Sequence, residues 1–162
     1  MPPVRGKWNM SNVLERFRGI SEMEFYQNAI KIRHEMSHFL MGEKNVPKRW
    51  RSVYAYPIIN KVQEMIDTII DANRIVAYSP ELLNNRKQGF QDAIELTDKI
   101  FERLQGAVQD VWWDMLHSEP GSPGYQNRLR IEKHVAEIGV LLEYEERLLK
   151  GCKYKSKLVK RK

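Results

Sequence analysis

The stretch RHEMSHF, early in the chain, has the residue spacing of a zinc-binding helix. His34 and His38 are four residues apart, so a helix places both imidazoles on one face, with Glu35 positioned as a general base. A catalytic zinc ion needs a third protein ligand. The extended form of the pattern would supply it with a glycine and a histidine at positions that here hold Met41 and Lys44. Because both histidines lie opposite the apolar stripe of the helix, the spacing predicts an exposed pair rather than a catalytic zinc site.

The same stretch also contains an arginine-to-histidine pair. Arg33 and His38 resemble the motif of the helical HEPN ribonucleases, which activate a ribose 2′-hydroxyl at a dimer interface. A looser match runs from Arg128 to His134 in the last predicted helix. The resemblance implies RNA cleavage with Arg33 and His38 as the catalytic residues, and this is the enzymatic alternative to a binding function.

The positive charge of the chain is concentrated at its C-terminal end. The sequence has 27 basic and 21 acidic residues, a net charge of +6. The last twelve residues, GCKYKSKLVKRK, contain no acid and six basic residues: Lys153, Lys155, Lys157, Lys160, Arg161 and Lys162. The rest of the chain is therefore neutral. Such a tail favours a polyanion, either nucleic acid or anionic lipid, and its alternative role is that of a disordered solubilising end.

Four segments repeat apolar residues at three- and four-residue steps, the period of an amphipathic helix. They cover approximately residues 21–42, 57–76, 80–117 and 124–150. No segment alternates as a strand would, so we predict an all-α protein: an up-and-down antiparallel four-helix bundle with a long third helix. The last turns of the third helix, VWWDML, either overhang the bundle or follow a bend at Gly106. We expect an N-terminal extension over 1–20, the bundle over 21–150 and a basic flexible tail over 151–162.

Capping and breaking residues set the predicted helix ends. Ser21 is placed to cap the first helix, with Glu24 at the capping-box position. Pro57 is expected at the first position of the second helix, and Gly151 is expected to end the fourth. The acidic and basic residues late in the fourth helix are predicted to form a solvated face. This group comprises Glu143, Glu145, Glu146, Arg147 and Lys150.

The composition favours a reducing compartment. Cys152 is the single cysteine, so it cannot form a disulfide within the chain, and a cytoplasmic setting is the default. No apolar run approaches the ~20 residues of a membrane span, and the opening MPPVRGKWNMSN lacks the apolar core of a secretory signal. The sequence contains no glycine-rich phosphate loop, nucleophile elbow or cysteine cluster, so no cofactor is expected.

Four stretches, taken in order, resemble a known group of helical bundles. They are KRWRSVYAYP, INKVQEMIDTIIDAN, LLNNRKQGFQDAIELTDKIFERLQ and AEIGVLLEYEERLLKG. Together they are similar to the bundle proteins of the accessory variability determinant (Avd) type and to the related bundles encoded by intervening sequences in 23S rRNA. The most characteristic piece is Glu137-Ile138-Gly139 followed by Leu141 and Leu142, and the resemblance covers roughly 22–151.

The resemblance implies a non-enzymatic accessory protein of a diversity-generating retroelement. Proteins of this type form pentamers, bind the reverse transcriptase of the element and its RNA or DNA, and support mutagenic reverse transcription. Basic residues on the bundle make the nucleic-acid contacts. The matching positions in this sequence are Lys48, Arg49 and Arg51 before the second helix, and Arg86 and Lys87 early in the third.

Two features of the sequence have a second interpretation. Ile59, Ile66 and Ile70 widen the apolar stripe of the second helix, which suits either oligomerisation or deep burial in the bundle. Trp50 lies among basic residues, which suits either base stacking or a lid on the bundle end. A third function also stays open, that of a pure protein-interaction bundle whose tail only aids solubility.

Overall fold

The computed structural model describes residues 23–161, and every regular element in that range is helical. The helices are α1 (Glu24–Met41), α2 (Tyr56–Arg74), α3 (Pro80–Val111), α4 (Trp113–Leu116) and α5 (Tyr125–Lys155). A 3-10 turn (Lys48–Trp50) and a π turn (Arg51–Ala55) lead directly into α2. The predicted cap Ser21, the predicted extension 1–20 and Lys162 lie outside the described residues.

The four long helices form a closed ring. In this ring α1 packs against α2, α2 against α3, α3 against α5 and α5 against α1. Each helix contributes fully buried apolar side chains to the shared core, such as Ile32, Ile69, Ile100 and Leu149. This arrangement confirms the predicted all-α four-helix bundle. α4 is a single turn at one end of it.

The start of α1 differs from the predicted capping box. The helix begins at Glu24 after Met23, and no side chain caps it. The Glu24 carboxylate instead accepts a hydrogen bond from the Tyr144 hydroxyl on α5, and this bond raises the pKa of Tyr144. A contact between helices has therefore replaced the local one. At the other end, the helix stops at Met41 with Gly42 as the flanking residue.

The approach to α2 is helical rather than an irregular link. The 3-10 and π turns wind continuously into α2, and Pro57 is its second residue instead of the predicted first. Proline has no N–H to donate to the preceding turn, and a π turn just ahead of it accommodates this break in the hydrogen-bond ladder. Ile66 is buried, and Ile59 and Ile70 pack against the core from its edge. The wider apolar stripe is thus used within the bundle.

α2 and α3 approach each other closely at Gly89. A Cβ at this position would lie 2.7 Å from the Ala72 Cβ and 3.3 Å from its Cα. We expect Gly89→Ala to lower the free energy of unfolding by about 1–3 kcal/mol, because the backbones of two helices must separate to make room. Urea denaturation measures this difference.

Gly106→Ala is the matched control for that substitution. Gly106 also lies inside α3, but a Cβ there would have no neighbour within 4 Å. The control should be neutral or raise the free energy of unfolding by up to about 1 kcal/mol, since alanine favours a helix interior more than glycine does. Equal effects at the two positions would contradict the close approach of α2 and α3.

The predicted third helix is split near its end. α3 stops at Val111, Trp112 leaves the helical region with φ −121° and ψ 32°, and α4 follows as a separate turn. The Trp112 ring lies 6.1 Å from the Phe39 ring and packs against the core, whereas Trp113 is 60% exposed. The expected continuous helix to His117 was therefore wrong. Burying one tryptophan of the pair bends the chain back onto the bundle.

The last helix is longer than predicted. α5 continues through Gly151 to Lys155, so the predicted end at Gly151 was wrong. Beyond it, residues 156–161 leave the helix and follow the α2–α3 connection, where the Val159 N–H donates to the Ala77 carbonyl oxygen over 2.8 Å. We call residues 156–161 the C-terminal strap. The strap places the basic tail against the junction of α2 and α3.

Candidate nucleic-acid interface

The predicted basic residues fall at opposite ends of the bundle. Lys48, Arg49 and Arg51 precede α2, whereas Arg86, Lys87 and the tail lie beside its C-terminal end. α2 has 19 residues, and at ~1.5 Å per residue its two ends are ~28 Å apart. The structure therefore divides the predicted interface into an entry patch (Lys48, Arg49, Arg51) at one end of the bundle and a C-terminal patch at the other.

The entry patch offers less free charge than its sequence suggests. Arg51 forms an ion pair with Glu43 over 2.8 Å and donates to the Val46 carbonyl oxygen. The Arg49 guanidinium lies 5.4 Å from the centre of the Trp50 ring, and that ring is half-buried against the core. Trp50 thus serves as a lid on the bundle end. Lys48 and Arg49 are the exposed cations of this patch.

The Arg86 side chain caps the C-terminal end of α2. Its Nη1 donates to the carbonyl oxygens of Ala72, Asn73 and Ile75 at 3.2, 2.9 and 3.0 Å, and its Nε donates to the Ser156 Oγ at 3.2 Å. The last carbonyls of a helix have no partner within the helix, so this guanidinium satisfies them from α3. Burial lowers the pKa of Arg86. Because its donors are engaged in the fold, Arg86 has a structural role.

The C-terminal patch gathers cations from the early part of α3, the last turn of α5 and the strap. It comprises Lys87, Lys153, Lys155, Lys157, Lys160 and Arg161. Lys153 donates to the Gln91 Oε1 at 2.9 Å, which fixes the last turn of α5 on α3. Within residues 23–161, Lys155, Lys157 and Lys160 are exposed and no carboxylate lies at ion-pair distance from them. Their charge is therefore available to a ligand.

Two tyrosines border the C-terminal patch. Tyr154, on the last turn of α5, is 89% exposed. Tyr78, in the α2–α3 connection, is 45% exposed, and the Arg161 guanidinium lies 5.0 Å from the centre of its ring. Neither tyrosine was singled out from the sequence. The signal that could have found Tyr154 is its position between Lys153 and Lys155, since alternating basic and aromatic residues suit phosphates and bases.

The arginine and histidine of the ribonuclease-like motif face different neighbours. Arg33 donates to the Gln63 Oε1 on α2 at 2.9 Å. His38 lines a cleft of about 590 Å³ between α1 and α5, together with His134. In the looser match, Arg128 is bound to Glu132 and to the Ser118 carbonyl oxygen. Among the described residues, the hydrogen bonds of Arg33 and Arg128 thus go to partners other than His38 and His134.

The two histidines of the zinc-like pattern form an exposed pair, as their spacing predicts. Their rings lie 4.3 Å apart on the surface of α1. Over the part of the chain that the structure describes, no group of three or more His, Cys, Asp or Glu residues could hold a metal ion. His34 and His38 therefore lack a third protein ligand among these residues.

Glu145 is fully buried, which corrects the prediction that it belongs to a solvated face. Its Oε2 accepts a hydrogen bond from the Asn28 Nδ2 at 2.8 Å, and Asn28 also donates to the Leu141 carbonyl oxygen. No described residue partners its Oε1. Burial raises the pKa of Glu145 to about 8, and the Asn28 hydrogen bond opposes this rise. The side chain is thus a neutral acid that joins α5 to α1 at neutral pH.

Comparisons of the chain with known proteins found no relative. No protein-family model, no curated protein and no solved structure matches the chain. Among residues 23–161, no helix combines the length and the apolar content that crossing a membrane requires.

Proposed function

We propose that this protein is a non-enzymatic nucleic-acid-binding accessory protein whose main contact surface is the C-terminal patch. The observation that carries the proposal is the placement of Lys155, Lys157 and Lys160 at one end of the bundle, exposed and without a carboxylate partner among the described residues. Cations in this state attract phosphates, and binding releases the counterions of the nucleic acid. Lys48 and Arg49 form a smaller second surface at the opposite end.

The resemblance to Avd-type bundles supplies the partners in this proposal. These are a reverse transcriptase, its RNA or DNA, and further copies of the chain, up to a pentamer. The end of the bundle opposite the C-terminal patch exposes Val53, Tyr56 and Trp113, which offers apolar surface to a protein partner. Tyr54 on the π turn donates a hydrogen bond to Asp110 near the end of α3 at 3.0 Å. The π turn, which carries Val53, and the end of α3, which precedes Trp113, therefore lie at the same end of the bundle. Light scattering and co-purification with a reverse transcriptase test these partners.

Replacing Lys155, Lys157 and Lys160 together by glutamine is expected to weaken binding to a structured RNA. If each lysine neutralises one phosphate, the log–log salt dependence should flatten by about 2–3 units, and affinity near 0.15 M salt should fall roughly tenfold or more. The measurement is a binding titration repeated over a salt series. These side chains are exposed, so the variant should remain folded.

The matched control changes three exposed lysines elsewhere: Lys44, Lys99 and Lys133. It removes the same net charge and should leave the salt dependence nearly unchanged. Equal weakening by both triple variants would show that only overall charge matters. If the unaltered protein does not bind RNA near physiological salt, the nucleic-acid function is wrong and a protein-interaction bundle takes its place.

A further inference from the structure

The C-terminal patch presents ring surface as well as charge. Tyr154 is 89% exposed and lies between Lys153 and Lys155 on the last turn of α5. A ring this exposed contributes little to the bundle core. Single exposed apolar residues are common on protein surfaces and need no special role. Tyr154 differs because cations flank it and because a second exposed ring, Tyr78, lies at the same end of the bundle.

The strap connects the two rings. It leaves α5 two residues after Tyr154, with Ser156 bonded to Arg86, and it ends with Arg161 against Tyr78. Val159 is fixed on Ala77 between these points. Six residues at ~3.3 Å each span at most ~20 Å, so the rings stand at the two ends of a short basic track. The exposed lysines of this track are Lys157 and Lys160.

A basic track with exposed rings at its ends matches the chemistry of a single nucleic-acid strand. Phosphates pair with lysines along the track, and unpaired bases stack on aromatic faces. A duplex presents the same phosphates but keeps its base faces inside its own stack. The rings therefore discriminate between the two forms, whereas the lysines alone do not.

We propose, on the basis of the nucleic-acid-binding function above, that the C-terminal patch selects single-stranded over duplex nucleic acid by stacking bases on Tyr154 and Tyr78. Tyr154 is the stronger platform, because one face of Tyr78 is already occupied by Arg161. Lys155, Lys157 and Lys160 hold the phosphates on either side of the stacked base.

The test measures binding of a 20-nucleotide oligouridine and of a duplex RNA of equal length to the full chain near 0.15 M salt. Tyr154→Ala should weaken binding of the single strand roughly 5- to 100-fold and leave duplex binding unchanged. Tyr154→Phe, which keeps the ring, should restore single-strand affinity. Val140→Ala, in the middle of α5 and 62% exposed, is the control for loss of an exposed apolar side chain outside both patches and should change neither affinity.

The outcomes separate the inference from the function on which it rests. If the unaltered chain binds both RNAs and Tyr154→Ala has no effect, single-strand selection is overturned while nucleic-acid binding stands. If Tyr154→Ala weakens both RNAs alike, the ring does not discriminate and the inference also fails. If the unaltered chain binds neither RNA, both proposals fall. Circular dichroism confirms that each variant is folded.

Discussion

Glu145→Gln is expected to stabilise the bundle at every pH above about 5, by a margin that grows to about 3–5 kcal/mol at pH 8. The Glu145 carboxyl is fully buried between α5 and α1, and burial raises its pKa from 4.5 to about 8. The folded state therefore keeps a proton that the unfolded chain releases. Stability is fully present below pH 4.5 and is lost as the pH rises towards 8, at about 1.4 kcal/mol per pH unit.

Glutamine removes this titration while keeping the contact with α1. Its side-chain oxygen can still accept from the Asn28 Nδ2, as the Glu145 Oε2 does at 2.8 Å. Urea denaturation between pH 5 and pH 8.5 should show two curves that nearly meet at the acidic end and diverge above it. Glu143→Gln, the same change at an exposed position of α5, should stay within about 0.5 kcal/mol of the unaltered protein throughout. Parallel curves for Glu145→Gln and the unaltered protein would show that Glu145 does not carry a buried proton.

Arg86→Ala is expected to lower the free energy of unfolding by about 2–4 kcal/mol, because it removes charged hydrogen bonds from the end of α2. Three carbonyl oxygens lose their shared donor, and Ser156 on the strap loses its partner. The guanidinium also lies 5.1 Å from the centre of the Phe90 ring, so part of its packing is lost as well. Arg86→Lys should fall in between, since one ammonium cannot reproduce the planar fork of donors.

Lys87→Ala separates this structural role from a role in binding. Lys87 is the neighbouring cation, and its loss should change stability by less than about 0.5 kcal/mol. Urea denaturation of the three variants gives the comparison, and RNA titration of each folded variant gives the second readout. If Arg86→Ala left stability unchanged but abolished RNA binding, Arg86 would be a phosphate ligand as the resemblance implies, and its capping role would be wrong.

The helices could be predicted from periodicity more reliably than their ends could. The apolar steps place all four long helices in the right segments, because a bundle buries one face of each helix. Their ends depend on partners from other helices. α5 passes through Gly151 because its last turns are fixed on α3 by Lys153 and Gln91, and α3 stops early because Trp112 turns inward onto Phe39.

The burial of Glu145 follows from the spacing of apolar residues in α5, but its residue type favoured an exposed position. Ile138, Leu142, Glu145 and Leu149 follow one another at steps of four, three and four, so position 145 lies on the buried stripe of α5. A glutamate is seldom buried without a partner, which favoured the exposed interpretation. Its partner, Asn28, is 117 residues away in the sequence, and only the packing of α1 on α5 brings the two together.

The sequence by itself determined the helix order, the apolar faces and the concentration of charge in the last twelve residues, because these follow from local composition and periodicity. The tertiary structure decided which cations remain available to a ligand. Arg86 is taken up by the end of α2 and Arg51 by Glu43, whereas Lys155, Lys157 and Lys160 stay exposed. The physical reason is that the availability of a charge depends on partners brought together by packing. For Arg86 and Ser156 that partner lies 70 positions away along the chain.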